Sequence, residues 1–396
     1  MIIPSFIFMK KIIYITAVPQ SLRGFVLPRM EWLTKEYEVV GICSPGASSP
    51  TAATPTQGVP EIEELRAGGM RVIEVPIARH ISPWQDVKSL IRLWWVLRKE
   101  KPDMVHSMTP KAGLLGMTAA WLAGVKVRMH TFTGLIFPWR KGLLRRILWT
   151  TDAITCAFAT IVNPEGEGVR KQLAEGHVTR KKMHIIANGN INGVDLTRFT
   201  PGDGREEMRS KLGFEEGHVV FTFVGRLVSD KGVPELVDSF VRLHANHPEA
   251  RLVLIGPEEP ELDPLPESTR KLMHEHPAIL CPGSQRNIPE WLAATDVYTL
   301  PSHREGFCNS LLEAGAMALP SITYDICGCN DSVDNETGIL VPPYDAEALH
   351  TAMTQLLCAP ALRQQLGQAA RKRMEERFDR RYVWQELRRF YAQILN

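Results

Sequence analysis

The sequence predicts an α/β protein of two doubly wound, Rossmann-like domains, and three observations carry that expectation. The chain has 396 residues, more than one ordinary core accommodates, so two domains are the natural division. Short β-branched runs alternate with longer helical patterns from end to end, as strand–helix–strand units around a parallel sheet require. Most of the strand-like runs are continuously apolar, as strands covered on both faces must be.

In chain order, the first half predicts strands at 11–16, 38–43, 71–76, 103–107, 126–131, 160–163 and 184–187. The second predicts strands at 219–225, 251–256, 278–281, 296–301, 321–324 and 338–341. The Gly-, Pro- and Asp-rich segment 192–205 separates the halves, since such residues favour turns over regular structure. The expected division is 1–195, 196–376, and an amphipathic helical tail, 377–396, that is a candidate to pack back on the first domain. The apolar run 112–125 lies between Lys111 and Lys126 and is too short to span a bilayer, so it reads as a buried helix.

Composition narrows the class. A hydrophobic fraction of 44% with 23% charged residues is that of a soluble globular chain, not a disordered one. A Pro/Ser/Thr/Ala stretch at 44–60 is the one biased tract. The start, MIIPSFIFMKK, lacks a basic leader and a small-residue cleavage site, so no signal peptide is expected. Residues 1–8 read as an extension ahead of Met9. The seven cysteines are odd in number and follow no framework spacing, which suits reduced thiols and a cytoplasmic location. Cys327 and Cys329 have no second pair to complete a zinc site, and no metal is expected.

Charge is uneven. Residues 1–195 hold 25 basic and 15 acidic side chains, although the whole chain is only +2. A basic first half suits an anionic partner such as a phospholipid surface or a phosphorylated acceptor. Its basic residues are not interleaved with aromatics in a recognition pattern, so nucleic acid is not an expected partner. The segment 138–149, PWRKGLLRRILW, is basic and aromatic. It reads either as a contact with the inner membrane's cytoplasmic face or as a helix with an apolar core face and a solvated basic face.

In doubly wound sheets, ligands bind beyond the carboxyl ends of the strands. After the strand 219–225 comes Gly225-Arg226-Leu227-Val228-Ser229-Asp230-Lys231-Gly232. Its two cations, beside a helix start, suit a diphosphate; a solvated turn is the plain alternative. After 296–301 comes Ser302-His303-Arg304-Glu305-Gly306-Phe307-Cys308-Asn309, with a helix expected from about Asn309 and Glu313 one turn in. A carboxylate near a helix N-terminus is electrostatically favoured in any protein. It can equally accept paired hydrogen bonds from vicinal hydroxyls.

Together, GRLVSDKG and the later EGFCNSLLEA resemble the retaining glycosyltransferases of family 4, whose glutamates stand eight residues apart as Glu305 and Glu313 do here. Asp103–His106, Arg128–Thr131, Asn192–Asp195 with Phe199, and Asp296–Ser302 agree with that pattern. The resemblance implies the GT-B fold, with the two domains facing across a cleft, and the transfer of a sugar from a nucleotide diphosphate with retention. It implies a donor site of Gly225, Arg226, Lys231, Arg286, Ile288, Glu305, Gly306, Phe307, Cys308, Asn309, Leu312 and Glu313. Arg226 and Lys231 would neutralise the diphosphate, Glu313 hold the ribose, and Glu305 the transferred sugar. His130 would lie near the reacting sugar, brought closer by domain closure, while His106 packs or orients its loop. Arg23 and Gly24 would belong to a first-domain loop facing the phosphates, although relatives are richer in glycine there. Cys308 and the run Cys327–Asp331 also depart from the family pattern, so sugar identity does not transfer. No Asp-x-Asp motif is present, which argues against the metal-dependent class. The donor is expected to be a UDP-sugar and the acceptor a lipid-diphosphate-linked glycan in surface polysaccharide assembly. A nucleotide-sugar epimerase and a catalytically silent binding subunit are the rival readings. The absence of G-x-G-x-x-G after the first strand argues against a dehydrogenase.

Overall fold

The computed structural model describes residues 9–45, 59–78, 82–202, 204–261 and 263–396. Residues 1–8 and most of the 44–60 tract lie outside this set. Residues up to Asn192 together with Trp384–Asn396 form one compact unit, and Gly193–Val383 form the other.

The first unit holds strands β1 (Lys10–Ile15), β2 (Tyr37–Cys43), β3 (Arg71–Glu74), β4 (Met104–Met108), β5 (Val127–Phe132) and β6 (Ile161–Pro164). Its helices are α1 (Pro19–Val26), α2 (Met30–Glu36), α3 (Pro60–Ala67), α4 (Pro83–Glu100), α5 (Pro110–Leu122), α6 (Gly142–Phe158) and α7 (Glu167–Glu175). The sheet order is β3-β2-β1-β4-β5-β6 and every pairing is parallel. With right-handed crossovers, this order puts α1 to α3 on one face and α4 to α6 on the other.

The second unit repeats the plan. Its strands are β7 (Val219–Val224), β8 (Ala250–Ile255), β9 (Ile279–Gly283), β10 (Val297–Leu300), β11 (Ser321–Tyr324) and β12 (Gly338–Val341). The order is β12-β11-β10-β7-β8-β9. Its helices are α8 (Arg205–Lys211), α9 (Val233–Asn246), α10 (Glu267–Glu275), α11 (Ile288–Ala293), α12 (Asn309–Ala316), α13 (Ala346–Cys358) and α14 (Pro360–Arg373). A last helix, α15 (Arg380–Leu395), follows. Each sheet reverses direction of growth once, at β1/β4 and at β7/β10, and diverging connections open a crevice beyond the strand ends there.

Two sequence expectations need correction. The run 184–187 is not a strand. Met183 makes one isolated bridge to Val162, the His184 N–H donates to the Val162 carbonyl at 2.9 Å, and the chain then turns away at Ala187 with φ 53°. The segment holding Arg23 and Gly24 is not a loop but helix α1. Pro19 sits at the first helical position, where its fixed φ favours initiation, and Leu22 and Val26, one turn apart, fill the core.

The tail is divided by what it touches. The Val194 N–H donates to the Phe378 carbonyl at 2.8 Å and the Arg380 N–H to the Val194 carbonyl at 3.0 Å, so this stretch stays with the second unit. Leu387 and Tyr391 are fully buried in the core of the first.

A buried polar chain secures Tyr391. Its hydroxyl lies 3.0 Å from the Tyr14 hydroxyl and 2.6 Å from His106 Nδ1, and His106 Nε2 lies 2.7 Å from Thr131 Oγ1. Thr131 donates to Asn163 Oδ1 at 2.8 Å. That last bond uses the threonine proton, so His106 Nε2–H donates to Thr131 and its bare Nδ1 accepts from Tyr391. Tyr391 then accepts from Tyr14. Burial holds the His106 pKa well below its usual value, which keeps the ring neutral as this order requires. Tyr391→Phe removes a donor from His106 and an acceptor from Tyr14, and unpaired buried groups cost about 1–3 kcal/mol each. A urea-denaturation midpoint clearly below that of the parent protein is the expected outcome.

Candidate functional site

The carboxyl end of β7 leads into the first candidate loop. The Gly225 N–H donates to the Ile255 carbonyl at 2.9 Å and the Leu227 N–H to the Pro257 carbonyl at 2.8 Å, so the loop continues along the neighbouring strand's exit. A short helical turn, Ser229–Lys231, follows, and Gly232 opens α9 with φ 69°. A Cβ at Gly232 would stand 1.9 Å from the Pro301 carbonyl oxygen. Only glycine combines this left-handed backbone with so close an approach, and the approach brings the loops after β7 and β10 together.

Several contacts lock that junction. Lys231 Nζ donates to Glu305 Oε1 at 2.6 Å, both side chains being largely buried. Arg304 Nη2 donates to Asp230 Oδ2 at 3.0 Å, and the His303 N–H donates to the Asp230 carbonyl at 3.0 Å. His303 Nε2 lies 2.9 Å from Glu235 Oε1 on α9, and its ring stacks on Tyr324. Arg226, on the other side of the turn, donates to Glu259 Oε2 at 2.7 Å. Each of the two expected cations therefore has a carboxylate partner.

The second loop ends at Cys308, and α12 begins at Asn309 as the sequence predicts. Helix α12 follows Cys308 as its N-cap residue, and its N-terminal N–H groups point out of the helix, as they do at every helix start. Gly328, at φ 83°, brings the turn 327–329 against this loop, where an added Cβ would lie 2.6 Å from the Gly306 carbonyl oxygen. The departures from the family pattern at Cys327 and Cys329 thus lie against Glu305 and Gly306.

Glu313 lies about one turn into α12. Burial pushes its carboxyl up to about 7, against the pull of Arg198 and Arg380. Arg198 also donates to the Arg286 carbonyl at 3.3 Å, which links the 284–288 loop to the same region. Ile288 opens α11 and packs on the hydrophobic core. Phe307 and Leu312 are core residues too, Phe307 edge-on to Phe378 at 5.6 Å.

The first-domain candidates are placed differently. His130 is 1% exposed. Its Nδ1 lies 2.7 Å from Ser107 Oγ, its ring meets Phe132 edge-on, and an added Cβ on Gly113 would collide with it. Burial lowers its pKa to about 3, so the ring is neutral. Arg23 pairs with Glu64 on α3, and the Gly24 carbonyl accepts from Asn192 Nδ2 at 2.8 Å.

Sequence reasoning missed Glu259, Asp230, Arg198 and Arg380 as shapers of the site. Glu259 was within reach of the strand-end rule, since it follows β8 closely. Arg380 was not, because it arrives from the chain's last helix. The thiols are all free. Burial holds Cys308 and Cys327 at about 12, and Cys281 at about 11. Among the described residues, no three His, Cys, Asp or Glu side chains gather in a metal-binding group.

Residues 204–373 match the family described as glycosyl transferases group 1, and residues 30–189 match the glycosyl transferase 4-like domain. The chain is 31% identical over 324 residues to the capsular polysaccharide biosynthesis glycosyltransferase CapM of Staphylococcus aureus, covering 81% of this chain and 84% of CapM. It is 33% identical over 294 residues to the UDP-Gal:alpha-D-GlcNAc-diphosphoundecaprenol alpha-1,3-galactosyltransferase of Escherichia coli, covering 72% and 75% of the two chains. The crystal structure of Anabaena HepE in complex with UDP superposes with a TM-score of 0.78 at 15% identity, over 97% of this chain and all of the other. Two Rossmann-like domains with these relatives define a glycosyltransferase of the GT-B fold. The chain belongs to the glycosyl transferases group 1 family, with a glycosyl transferase 4-like first domain.

The Gly232 junction gives a direct test. Gly232→Ala forces a side chain into a left-handed backbone and against Pro301, and the backbone strain alone costs about 1–3 kcal/mol. A lower melting temperature is expected, with nucleotide-dependent stabilisation reduced further than the loss of stability alone would produce.

Proposed function

We propose that the protein transfers a hexose or N-acetylhexosamine from a UDP-sugar to a glycan carried on a lipid diphosphate, with retention of configuration and without a metal ion. The observation that carries this reading is the Lys231–Glu305 pair standing between the loops after β7 and β10, at the switch point of the second sheet, with Arg226 at the exit of β7 and the start of α12 at the exit of β10. Cations and helix N–H groups together suit a diphosphate. The adjacent carboxylate of Glu305 suits sugar hydroxyls, and Glu313 suits the ribose. UDP appears with HepE, and both UDP-galactose and a diphosphoundecaprenol acceptor appear in the name of the E. coli relative; these support the choice of base and acceptor. The capsular polysaccharide biosynthesis in the name of CapM supports assembly of a surface polysaccharide.

In this reading the bond between the anomeric carbon and the β-phosphate oxygen breaks while the acceptor oxygen bonds the anomeric carbon from the same face. The departing phosphate oxygen takes the acceptor's proton. Arg226 and Lys231 stabilise the charge developing on that oxygen, so no metal is required. Glu305, whose Oε1 accepts from Lys231, holds hydroxyls of the sugar in this reading. His130, neutral and enclosed, acts as a positioning group for the first-domain backbone around it.

The test begins with thermal stabilisation by a panel of nucleotides and nucleotide sugars, since a ligand of the folded state raises the melting temperature. A shift with UDP-sugars that is lost in Glu313→Ala supports the donor site; no shift with any nucleotide defeats it. With donor and acceptor present, Arg226→Ala and Lys231→Ala should each lower kcat by about 10²–10³, and EDTA should leave turnover unchanged. Product anomeric configuration, read by NMR, tests retention. Conversion of the donor sugar without acceptor would instead favour an epimerase.

The raised Glu313 pKa gives a pH dependence with a defined sign. The carboxyl is mostly neutral below about 7 and ionised above it, and the ionised form is the better acceptor for two ribose hydroxyls. Affinity for a UDP-sugar should therefore rise between pH 6 and 8. The diphosphate of a UDP-sugar does not titrate there, so Glu313→Gln should flatten the profile as well as weaken binding.

A further inference from the structure

On the face of the first sheet covered by α4, α5 and α6, the middle helix is nearly enclosed while its two neighbours are not. Helix α5 packs on both α4 and α6, and Ala112, Gly113, Leu115, Gly116, Met117, Ala119 and Ala120 are buried. Helix α4 turns Leu93 and Leu97 inward. Its outer side carries Trp84, Val87, Ile91 and Trp95, with Trp84 84% and Trp95 62% exposed. These residues fall three or four apart, so they form one stripe along the helix. Lys88, Arg92, Arg98 and Lys99 flank the stripe and are exposed.

Helix α6 offers the same chemistry. Residues 141–147 are exposed on every side of the helix, and Leu143, 73% exposed, projects with Leu144 and Ile147 among Arg140, Lys141, Arg145 and Arg146. The plain reading of 138–149, an apolar face turned to the core, therefore fails for the first two turns. Among the described residues, none of these eight cations makes an ion pair. The only acids on the two helices are Asp86 and Glu100, paired with Lys111 and with Arg71 and Lys11, and the buried Asp152.

A solvated face does not need a row of exposed tryptophans, and a protein partner would ordinarily bring carboxylates to specific cations rather than to eight spread over two helices. Tryptophan settles at the headgroup level of a bilayer, and unpaired Lys and Arg are drawn to anionic lipid. We propose that α4 and α6 form a docking face for an anionic phospholipid bilayer. Trp84, Val87, Ile91 and Trp95, with Leu143 and Ile147, enter the interface, and the surrounding cations pair with lipid phosphates. The face lies outside the donor site, and the proposal does not rest on the identity of donor or acceptor. No helix of the described residues is long and apolar enough to cross a membrane, so this contact lies on the bilayer and does not span it.

The test is co-sedimentation of the full chain with large vesicles of phosphatidylcholine alone or with 30 or so mole per cent phosphatidylglycerol, at about 0.1 M and 0.5 M salt. Binding is expected only to the anionic vesicles and to weaken with salt, because screening shortens the reach of the charges. Lys88→Glu/Arg92→Glu should lower the partition coefficient by tenfold or more, given about fivefold for each basic residue near an anionic surface. Trp84→Ser/Trp95→Ser should lower it comparably. Both double variants change exposed side chains only, and circular dichroism with UDP-induced thermal stabilisation checks that each is folded. Equal binding of parent and variants overturns the proposal. So does sedimentation velocity showing, without lipid, a dimer of the parent that the tryptophan variant loses, since the face would then be covered by a second copy. Loss of vesicle binding with nucleotide binding intact supports the docking face whatever the fate of the transferase reading.

Discussion

The approach of Gly232 to the Pro301 carbonyl is the constraint on which the second domain's site depends. Parallel strands β7 and β10 lie side by side, but their following helices leave in different directions, and a gap between the two loops is the default outcome. Removing one side chain at a left-handed position closes that gap to direct contact. Once it is closed, Lys231 reaches Glu305, Arg304 reaches Asp230, and His303 reaches Glu235. None of these bonds could form if the turn stood a side chain's width further out. A second glycine, Gly328, does the same from the side of β11, so backbone proximity sets the positions and the charged side chains then occupy them.

The two domains share a strand order but spend their polar residues differently. In the second, ionisable groups gather at the exits of the strands. In the first, they are sunk into the sheet as a single-file hydrogen-bond chain from Tyr14 to Asn163, every member satisfied by its neighbour. Such a chain tolerates burial because each donor has one acceptor waiting. It also keeps His106 uncharged in the interior, while His130 is kept neutral by its own burial beside Ser107.

Much of this was legible in the sequence. Twelve strands follow from apolar runs, because a strand buried on both faces leaves little room for any other pattern. The helix start at Asn309 was legible from Gly306 and the two glutamates. What escaped has a common physical cause, which is that it depends on partners remote in the chain. The run 184–187 is as apolar as a strand, yet Ala187 adopts a positive φ and the pairing ends. Arg23 and Gly24 read as a loop because the resemblance puts one after the first strand, while Pro19, Leu22 and Val26 decide for a helix. Arg226 and Lys231 were legible as cations, but their carboxylate partners, Glu259 among them, were not. The segment 138–149 was ambiguous by composition alone, since an amphipathic pattern does not say which side is covered.

The thiols carry a consequence for how this molecule can be handled. Six of the seven cysteines are enclosed or partly enclosed, and Cys358, at the end of α13, is the exposed one. Among the others, Cys43, Cys156, Cys281, Cys308 and Cys327 all have pKa values raised by burial to about 11 or 12, and burial raises Cys329 well above the ordinary thiol value too. Thiolates are the species that alkylate, so at neutral pH those six are chemically quiet. A maleimide dye or spin label added to the native protein would thus find a single address on the second domain, on a helix remote in sequence from Lys231 and Glu305, without any engineering of the other six.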